Sequence, residues 1–294
     1  MNKRKNMKKT LMVLSLFASA AMAQTTHTYI HNEKNVVQQV DNQSTCLSTN
    51  KSSDPDVILY IGAHVQNYDY SVDGQNNNSS SLSDMYGISG DIYIKNGDEG
   101  MGIGNSTYIG LRAVYDKGDV LFDGTIPDPS GPISTRDDVE VTSLDLELVL
   151  RDWDRQSTGH TYLEYILGFN EMKRDFPLTN YQETYTHYLF GIGFGVETEI
   201  SDNFFIGLDL VGKISPFGKI KSKGPSHSEK LSTTFTWMGR AEIPFRWKIT
   251  QQSSFHIIPL LEYWSYDGSS SSPTALPKSE LTTWKVEAGL SLEF

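Results

Sequence analysis

The residues best suited to acid–base chemistry in this chain are its histidines. His64, His160, His187, His227 and His256 fall in different segments, and none of them has an evident partner close by in the sequence. A histidine acts as a general base when an acidic side chain orients it and a nucleophile lies within reach. The sequence therefore does not favour a catalytic role for these histidines.

Other motifs that could carry chemistry are few. Cys46 is the only cysteine, so the chain cannot form an internal disulfide, and we expect it to be an incidental exposed thiol. Gly102-x-Gly104 lacks the Lys-Ser/Thr pair that a phosphate-binding loop requires. No histidine or cysteine pair has the spacing of metal ligands. The sequence predicts neither a metal nor a cofactor.

Charged residues of both signs recur at every second position of several segments, and we expect them to face an enclosed interior. They are Arg112, Asp145, Glu147, Arg151, Glu197, Asp209, Lys213, Arg240, Glu242, Arg246, Lys285 and Glu287. Such charges could form the constriction of a selective channel, or they could pair and fill a narrow interior. Gly191, Gly193 and Gly195 leave that stretch of wall without side chains, which is compatible with a small pore.

The segments that position these charges alternate apolar and polar residues, which is the signature of β-strands. Between Phe235 and Trp247 the apolar face reaches roughly 40 Å at about 3.3 Å per residue, which suits a tilted strand that crosses a bilayer. Trp237 and Trp247 lie near opposite ends of this face, where interfacial aromatic girdles belong. No segment beyond the first 23 residues is apolar for long enough to be a membrane-spanning helix.

From residue 57 onward the alternation predicts an all-β fold, a closed antiparallel transmembrane up-and-down barrel of about ten strands. An even number of strands places both chain ends in the periplasm. Long extracellular loops are then expected at 73–81, 124–138, 176–183, 221–231 and 268–280, and short periplasmic turns at 156–159, 201–203 and 251–254. The predicted strands are 57–72, 84–95, 107–122, 139–154, 160–175, 184–200, 204–220, 232–249, 255–267 and 281–294.

The N-terminus has the order of a secretory signal peptide. Cationic residues from Lys3 to Lys9 precede an apolar run from Leu11 to Met22, and Ala21-Met22-Ala23 provides a cleavage site before Gln24. The expected organisation is a cleaved signal peptide (1–23), a polar periplasmic extension that contains Cys46 (24–53), and an outer-membrane barrel (54–294). Cleavage takes the formal net charge from −11 to −16, because the signal holds five cationic and no acidic residues. Nucleic acid is therefore not an expected partner.

The last strand carries a first resemblance to known proteins. Trp284, Val286, Ala288, Leu290 and Leu292 share its apolar face, and the chain ends at Phe294. This pattern resembles the C-terminal strand that the barrel-assembly machinery recognises in bacterial outer-membrane barrels. The resemblance implies that this machinery is a partner and that the cell outer membrane of a Gram-negative bacterium is the location.

A narrower resemblance is to the omptins, ten-stranded outer-membrane proteases of similar length. The stretches YLEYILGFNEMKRDF (162–176) and SDNFFIGLDLVGKISPFGKIKSKGPSH (201–227) are similar in layout to two successive stretches of that family. The resemblance implies an Asp–His pair in one extracellular loop and an Asp pair in another. His227 aligns with the histidine, but no acidic residue lies two positions before it, and Asp128, Asp137 and Asp138 lack the matching spacing. The resemblance therefore carries over architecture and not catalysis.

Three functions remain open on the sequence. The first is a structural or surface-interaction barrel whose loops contact partners or lipopolysaccharide. The second is a narrow porin-like channel, and the third is an omptin-like endopeptidase. The first is our expectation, so we predict that the chain is not an enzyme and that it contacts outer-membrane lipid and lipopolysaccharide.

Overall fold

The computed structural model describes residues 54–72, 78–79, 85–98, 100–102, 104–126, 133–156, 158–224, 228–233, 235–268 and 278–294. Within these residues no helix is long and apolar enough to cross a membrane. The strands form one antiparallel sheet and are β1 (Val57–Gln66), β2 (Asp69–Val72), β3 (Asn78–Ser79), β4 (Met85–Gly97), β5 (Ser106–Ile126), β6 (Ile133–Gln156), β7 (Gly159–Phe176), β8 (Tyr181–Ser201), β9 (Phe204–Lys223), β10 (Ser228–Thr233), β11 (Thr236–Glu242), β12 (Phe245–Lys248), β13 (Ser253–Tyr266) and β14 (Ser279–Glu293).

The sheet closes on itself because its last strand pairs with its first. β14 lies antiparallel to β1 from Ile58↔Glu293 to Gln66↔Lys285, and β1 also pairs with β4. β2 continues β1 along β14, and β10, β11 and β12 follow one another along β9 as three parts of one wall strand. The wall therefore has ten strands, which confirms the predicted closed antiparallel barrel. Closure pairs the first and last strands of the sheet, so neither remains a free edge.

The two ends of the barrel differ, and we name them by what they carry. At the terminal end, the N–H groups of Asp56 and Val57 donate to the carbonyl of Phe294, so the chain enters and leaves the barrel at the same place. At the opposite end, which we call the loop end, the β2–β3 pairing and the turn between β7 and β8 are found.

The wall exposes apolar side chains and buries charged ones, as the alternation predicts. On β14, Trp284 is 51% exposed and Leu290 is 50% exposed, whereas Lys285 and Glu287, which point inward, are each 8% exposed. A protein surrounded by water shows the opposite preference. This exposure pattern suits a wall that faces lipid.

The structure corrects the loop predicted at 176–183. β7 ends at Phe176 and β8 begins at Tyr181, so residues 177–180 form a tight turn in which Asn180 has a positive φ of 51°. β5 extends to Ile126 and β6 begins at Ile133, so the loop predicted at 124–138 is shorter than expected. β6 has 24 residues, far more than a membrane-spanning strand needs. We call the band of outward-facing apolar side chains on the wall the apolar belt. At the loop end the strands therefore continue beyond this belt.

Gly191, Gly193 and Gly195 do not open the wall. A Cβ at Gly195 would overlap the ring of Tyr162, and a Cβ at Gly191 would lie 2.7 Å from Cγ of Lys213. The glycines thus make room for large inward side chains from neighbouring strands. The absence of side chains at these glycines therefore does not by itself leave an opening along this stretch.

This close approach predicts a difference between two glycines on neighbouring strands, Gly195 of β8 and Gly212 of β9. We expect Gly195→Ala to lower the free energy of unfolding by about 1–3 kcal/mol, because the methyl group overpacks the lumen against Tyr162. Thermal unfolding of the folded barrel in detergent, followed by its shift in gel mobility, measures the effect.

Gly212→Ala is the matched control, since a Cβ at Gly212 meets no atom within 4 Å. We expect this control to change stability by less than about 0.5 kcal/mol. Equal stability of the two variants would contradict the close packing at Gly195.

Candidate functional site

The candidate site is the lumen, which is divided into a charged half and a hydrophobic half. The charged half contains a cavity of about 190 Å³ that reaches Ile58 and Glu293 at the terminal end. Every charge that the sequence placed in the interior lines this cavity except Lys213, which is also buried in the lumen.

Two arginines organise one wall of the cavity. Arg112 donates to Glu147 at 3.1 Å and to the hydroxyl of Tyr93 at 2.8 Å. Arg151 donates to Glu164 at 2.9 and 2.6 Å, and its guanidinium group lies 4.0 Å from the ring centroid of Tyr93. Planar guanidinium groups favour both contacts, since they hydrogen-bond carboxylates and stack on aromatic faces. The two arginines therefore form one connected network across β4 to β7.

Further ion pairs fill the space beside this network. Lys213 donates to Glu147 from β9 across the lumen. Nearer the terminal end, Nε of Arg246 donates to both carboxylate oxygens of Glu197, at 3.0 and 2.9 Å. Buried charges are tolerated when they are paired and hydrogen-bonded. The arrangement matches the predicted interior of paired charges.

His64 does have partners, contrary to the sequence-based interpretation. Its Nδ1 lies 3.2 Å from Glu287, and its Nε2 contacts Asp116. Asp116 also accepts a hydrogen bond from Lys285 at 3.2 Å. Because both ring nitrogens face carboxylates, the ring donates to both when it is an imidazolium ion. The two partners of His64 lie 223 and 52 residues away in sequence, which is why inspection of nearby residues could not find them.

The loop-end half of the lumen is filled by apolar and aromatic side chains, which we call the aromatic cluster. Tyr185 and Tyr266 have ring centroids 5.8 Å apart, and Trp264 stacks on Tyr266 at the same distance. The members are Tyr68, Tyr70, Met85, Val120, Phe122, Val139, Val141, Met172, Phe176, Tyr181, Tyr185, Leu189, Ile220, Leu231, Met238, Trp264, Tyr266 and Leu281. The cluster closes the lumen toward the loop end.

One ion pair lies inside the aromatic cluster and was not predicted as an interior pair. Arg174 donates to Glu183 at 3.1 Å, and its guanidinium group lies 4.2 Å from the ring centroid of Tyr70. Tyr181 also donates to Glu183, and burial together with this carboxylate raises the pKa of the Tyr181 phenol. Arg174 lies two residues before the end of β7. Its position an even number of residues from Glu164 could have identified it as an inward side chain.

The omptin-like residues do not assemble into a site in the described part of the chain. Asp137 is buried and accepts a hydrogen bond from the N–H of Leu178 at 3.0 Å, whereas its neighbour Asp138 is exposed on the other face of β6. Asp128 and His227 lie outside the described residues, as do residues 1–53 with Cys46.

The other histidines of the described residues, His160, His187 and His256, lie inside the barrel. His187 is fully buried beside Tyr266, with ring centroids 5.4 Å apart. His160 packs on Trp153 at 4.8 Å, and His256 contacts the hydroxyl of Ser291 at 2.7 Å. Within the described residues, no group of three or more His, Cys, Asp and Glu side chains is arranged to hold a metal ion.

Comparison with known proteins identifies the architecture alone. No protein-family model and no curated protein sequence matches the chain. Among solved structures, the outer membrane protease OmpT from Escherichia coli is 14% identical with a TM-score of 0.55, and the alignment covers 82% of this chain and 97% of that one. The transport unit of the autotransporter AIDA-I from Escherichia coli is 9% identical, with coverage of 90% and 97% and a TM-score of 0.44.

The translocator domain of the autotransporter NalP from Neisseria meningitidis is 11% identical, with coverage of 95% and 98% and a TM-score of 0.42. At these identities the similarity concerns the fold, and the fold does not determine the function. The chain has the closed ten-stranded fold of the outer-membrane β-barrels.

Proposed function

We propose that this chain is a closed barrel of the Gram-negative outer membrane that acts at the cell surface by binding lipopolysaccharide. Export would use the N-terminal signal, and the terminal end would face the periplasm. The observation that carries the proposal is a patch of exposed lysines directly above the apolar belt at the loop end. We call it the lysine surface, and it consists of Lys173, Lys219, Lys221, Lys223 and Lys230.

Strand register brings these lysines together. Lys221 lies opposite Lys230 on β10 and opposite Thr184 on β8, and Thr184 in turn lies opposite Lys173 on β7. Lys219 and Lys223 flank Lys221 on the same outward face of β9. Lys173 also forms an ion pair with Glu171 at 3.0 Å. In a chain of net charge −11, such a concentration of cations on β7, β9 and β10 favours an anionic partner.

The lysine surface begins where the lipid-facing wall ends. Phe217 is 72% exposed and Tyr188 is 51% exposed, and the two lie opposite each other on β9 and β8. Aromatic side chains of this kind mark the membrane interface. Lys219 is two residues farther along β9, or about 7 Å at the rise of a β-strand. That is the level at which the phosphate groups of lipid A would lie.

The closed lumen supports a surface role over transport. The aromatic cluster fills the loop-end half, and paired charges occupy the walls of the other half. Ten-stranded barrels are close in size to those whose interiors are filled by side chains. Solute passage would require these side chains to leave the lumen.

We expect the purified barrel to give no discrete conductance steps in a planar lipid bilayer, because the aromatic cluster blocks the ion path. An open porin inserted into the same bilayer shows that the assay detects a channel. Reproducible single-channel steps from this protein would favour the narrow-channel function instead.

For the lysine surface, the informative variant is Lys221→Gln with Lys230→Gln. Each lysine near an anionic membrane surface contributes about 1 kcal/mol, so the double variant should bind purified lipopolysaccharide about 30-fold more weakly. Titration of detergent-solubilised protein with lipopolysaccharide measures the affinity, and higher salt should reduce the difference between variant and parent.

The control changes the same number of charges at the terminal end, by Lys95→Gln with Lys248→Gln. We expect this pair to leave the affinity unchanged. Equal weakening by both double variants would indicate an effect of net charge, and an unchanged affinity of the first would refute the lysine surface as the binding site.

A further inference from the structure

A second, smaller cavity of about 30 Å³ lies in the middle of the lumen, between the charged half and the aromatic cluster. Trp264 and Tyr266 border it on the side of the cluster, and Asp116 and Lys285 border it on the charged side. The volume suffices for one or two water molecules or for a single metal cation. This cavity is inside the barrel and separate from the lysine surface.

Four side chains around this cavity have a buried oxygen with no hydrogen-bond partner in the described part of the chain. They are Gln66 Oε1, Asp145 Oδ1, Asn170 Oδ1 and Thr283 Oγ1. Gln66 is 2% exposed, and Asn170 and Thr283 are each 3% exposed. Buried polar atoms of native proteins nearly always have a partner. Four such atoms around one cavity therefore indicate a group that interacts with all of them.

The chemistry of these atoms favours a cation over water. Asn170 Nδ2 donates to Ser143 at 3.3 Å, and Oδ1 of the same amide is the atom without a partner in the described residues. The oxygens of Gln66 and ionised Asp145 are also acceptors only. Two water molecules could donate four hydrogen bonds to these oxygens, but only a cation also balances negative charge around the cavity.

The charge balance around the cavity favours a divalent ion. Asp116 is compensated by Lys285 at 3.2 Å and by His64. Asp145 and Glu262 face the cavity without a salt bridge in the described residues. The nearby cations are engaged elsewhere, since Lys213 binds Glu147, and Arg240 binds Glu242 at 2.7 Å. Two carboxylates are thus in excess.

We propose that this cavity binds one Ca²⁺ ion through Gln66, Asp145, Asn170 and Thr283. A mixture of carboxylate, amide and hydroxyl oxygens is typical of Ca²⁺, whereas Mg²⁺ demands stricter geometry and retains more of its water. The cavity shares Asp145, Glu262 and Lys285 with the larger cavity, so the ion enters from the terminal end. The sequence did not predict this site, because the four ligands lie on β1, β6, β7 and β14.

The test is calorimetric titration of the chelator-treated, folded barrel with CaCl₂, together with thermal unfolding with and without Ca²⁺. We expect saturable binding of one ion, weaker binding of Mg²⁺, and a Ca²⁺-dependent rise in the unfolding temperature. Asp145→Asn should weaken Ca²⁺ binding at least about tenfold, since ligand charge sets the affinity of such sites.

Asp209→Asn is the matched control, because Asp209 lines the larger cavity but not the smaller one. It should bind Ca²⁺ like the parent. Thr283→Val keeps the shape of the side chain and removes one ligand, so it tests the site even where Asp145→Asn fails to fold. Absence of Ca²⁺ binding by the parent, unchanged affinity of Thr283→Val, or equal losses in the two aspartate variants would overturn the proposal.

Discussion

Pairing of the last strand with the first closes a ring of ten strands, and this closure forces half of every strand's side chains into one narrow space. Charges placed there must find partners, because an isolated buried ion is far less stable than a paired one. Lys213 with Glu147 and Arg246 with Glu197 satisfy this requirement across strands that are distant in sequence. The glycines of β8 belong to the same constraint, since they provide the room that the larger side chains occupy.

The two faces of the sheet exchange apolar and charged side chains along the barrel axis. In the belt, apolar side chains point outward and charged ones point inward, as on β14 at Trp284 and Lys285. Toward the loop end the same strands place lysines outward and apolar residues inward, as on β9 at Lys221 and Ile220. The reversal is what a change of medium requires, since the first part of the wall suits lipid and the second suits water. One sheet thus joins a membrane barrel to a water-facing barrel with a hydrophobic core.

The sequence was sufficient for the class of fold because a two-residue period determines which face each side chain takes. It identified the ten wall strands and the inward charges from Arg112 to Glu287. It could not supply the partners of those charges, because they depend on register between strands. His64 and Glu287 are 223 residues apart in sequence and are neighbours through the closure of the ring. The turn at 177–180 was missed because the inward positions of Arg174 and Glu183, which continue the alternation on either side of it, were not recognised in the sequence.

The architecture is shared with OmpT at 14% identity, but a shared architecture does not imply a shared catalytic site. An alternating wall accepts many residues at each position, so the fold persists as the sequence diverges. A hydrolytic site requires particular side chains to converge at one point. Asp137 and Asp138 are adjacent on β6 and therefore occupy opposite faces, one buried against the turn of Leu178 and the other exposed. A function located at the loop end therefore depends on side chains that the fold does not require and that can change without altering it.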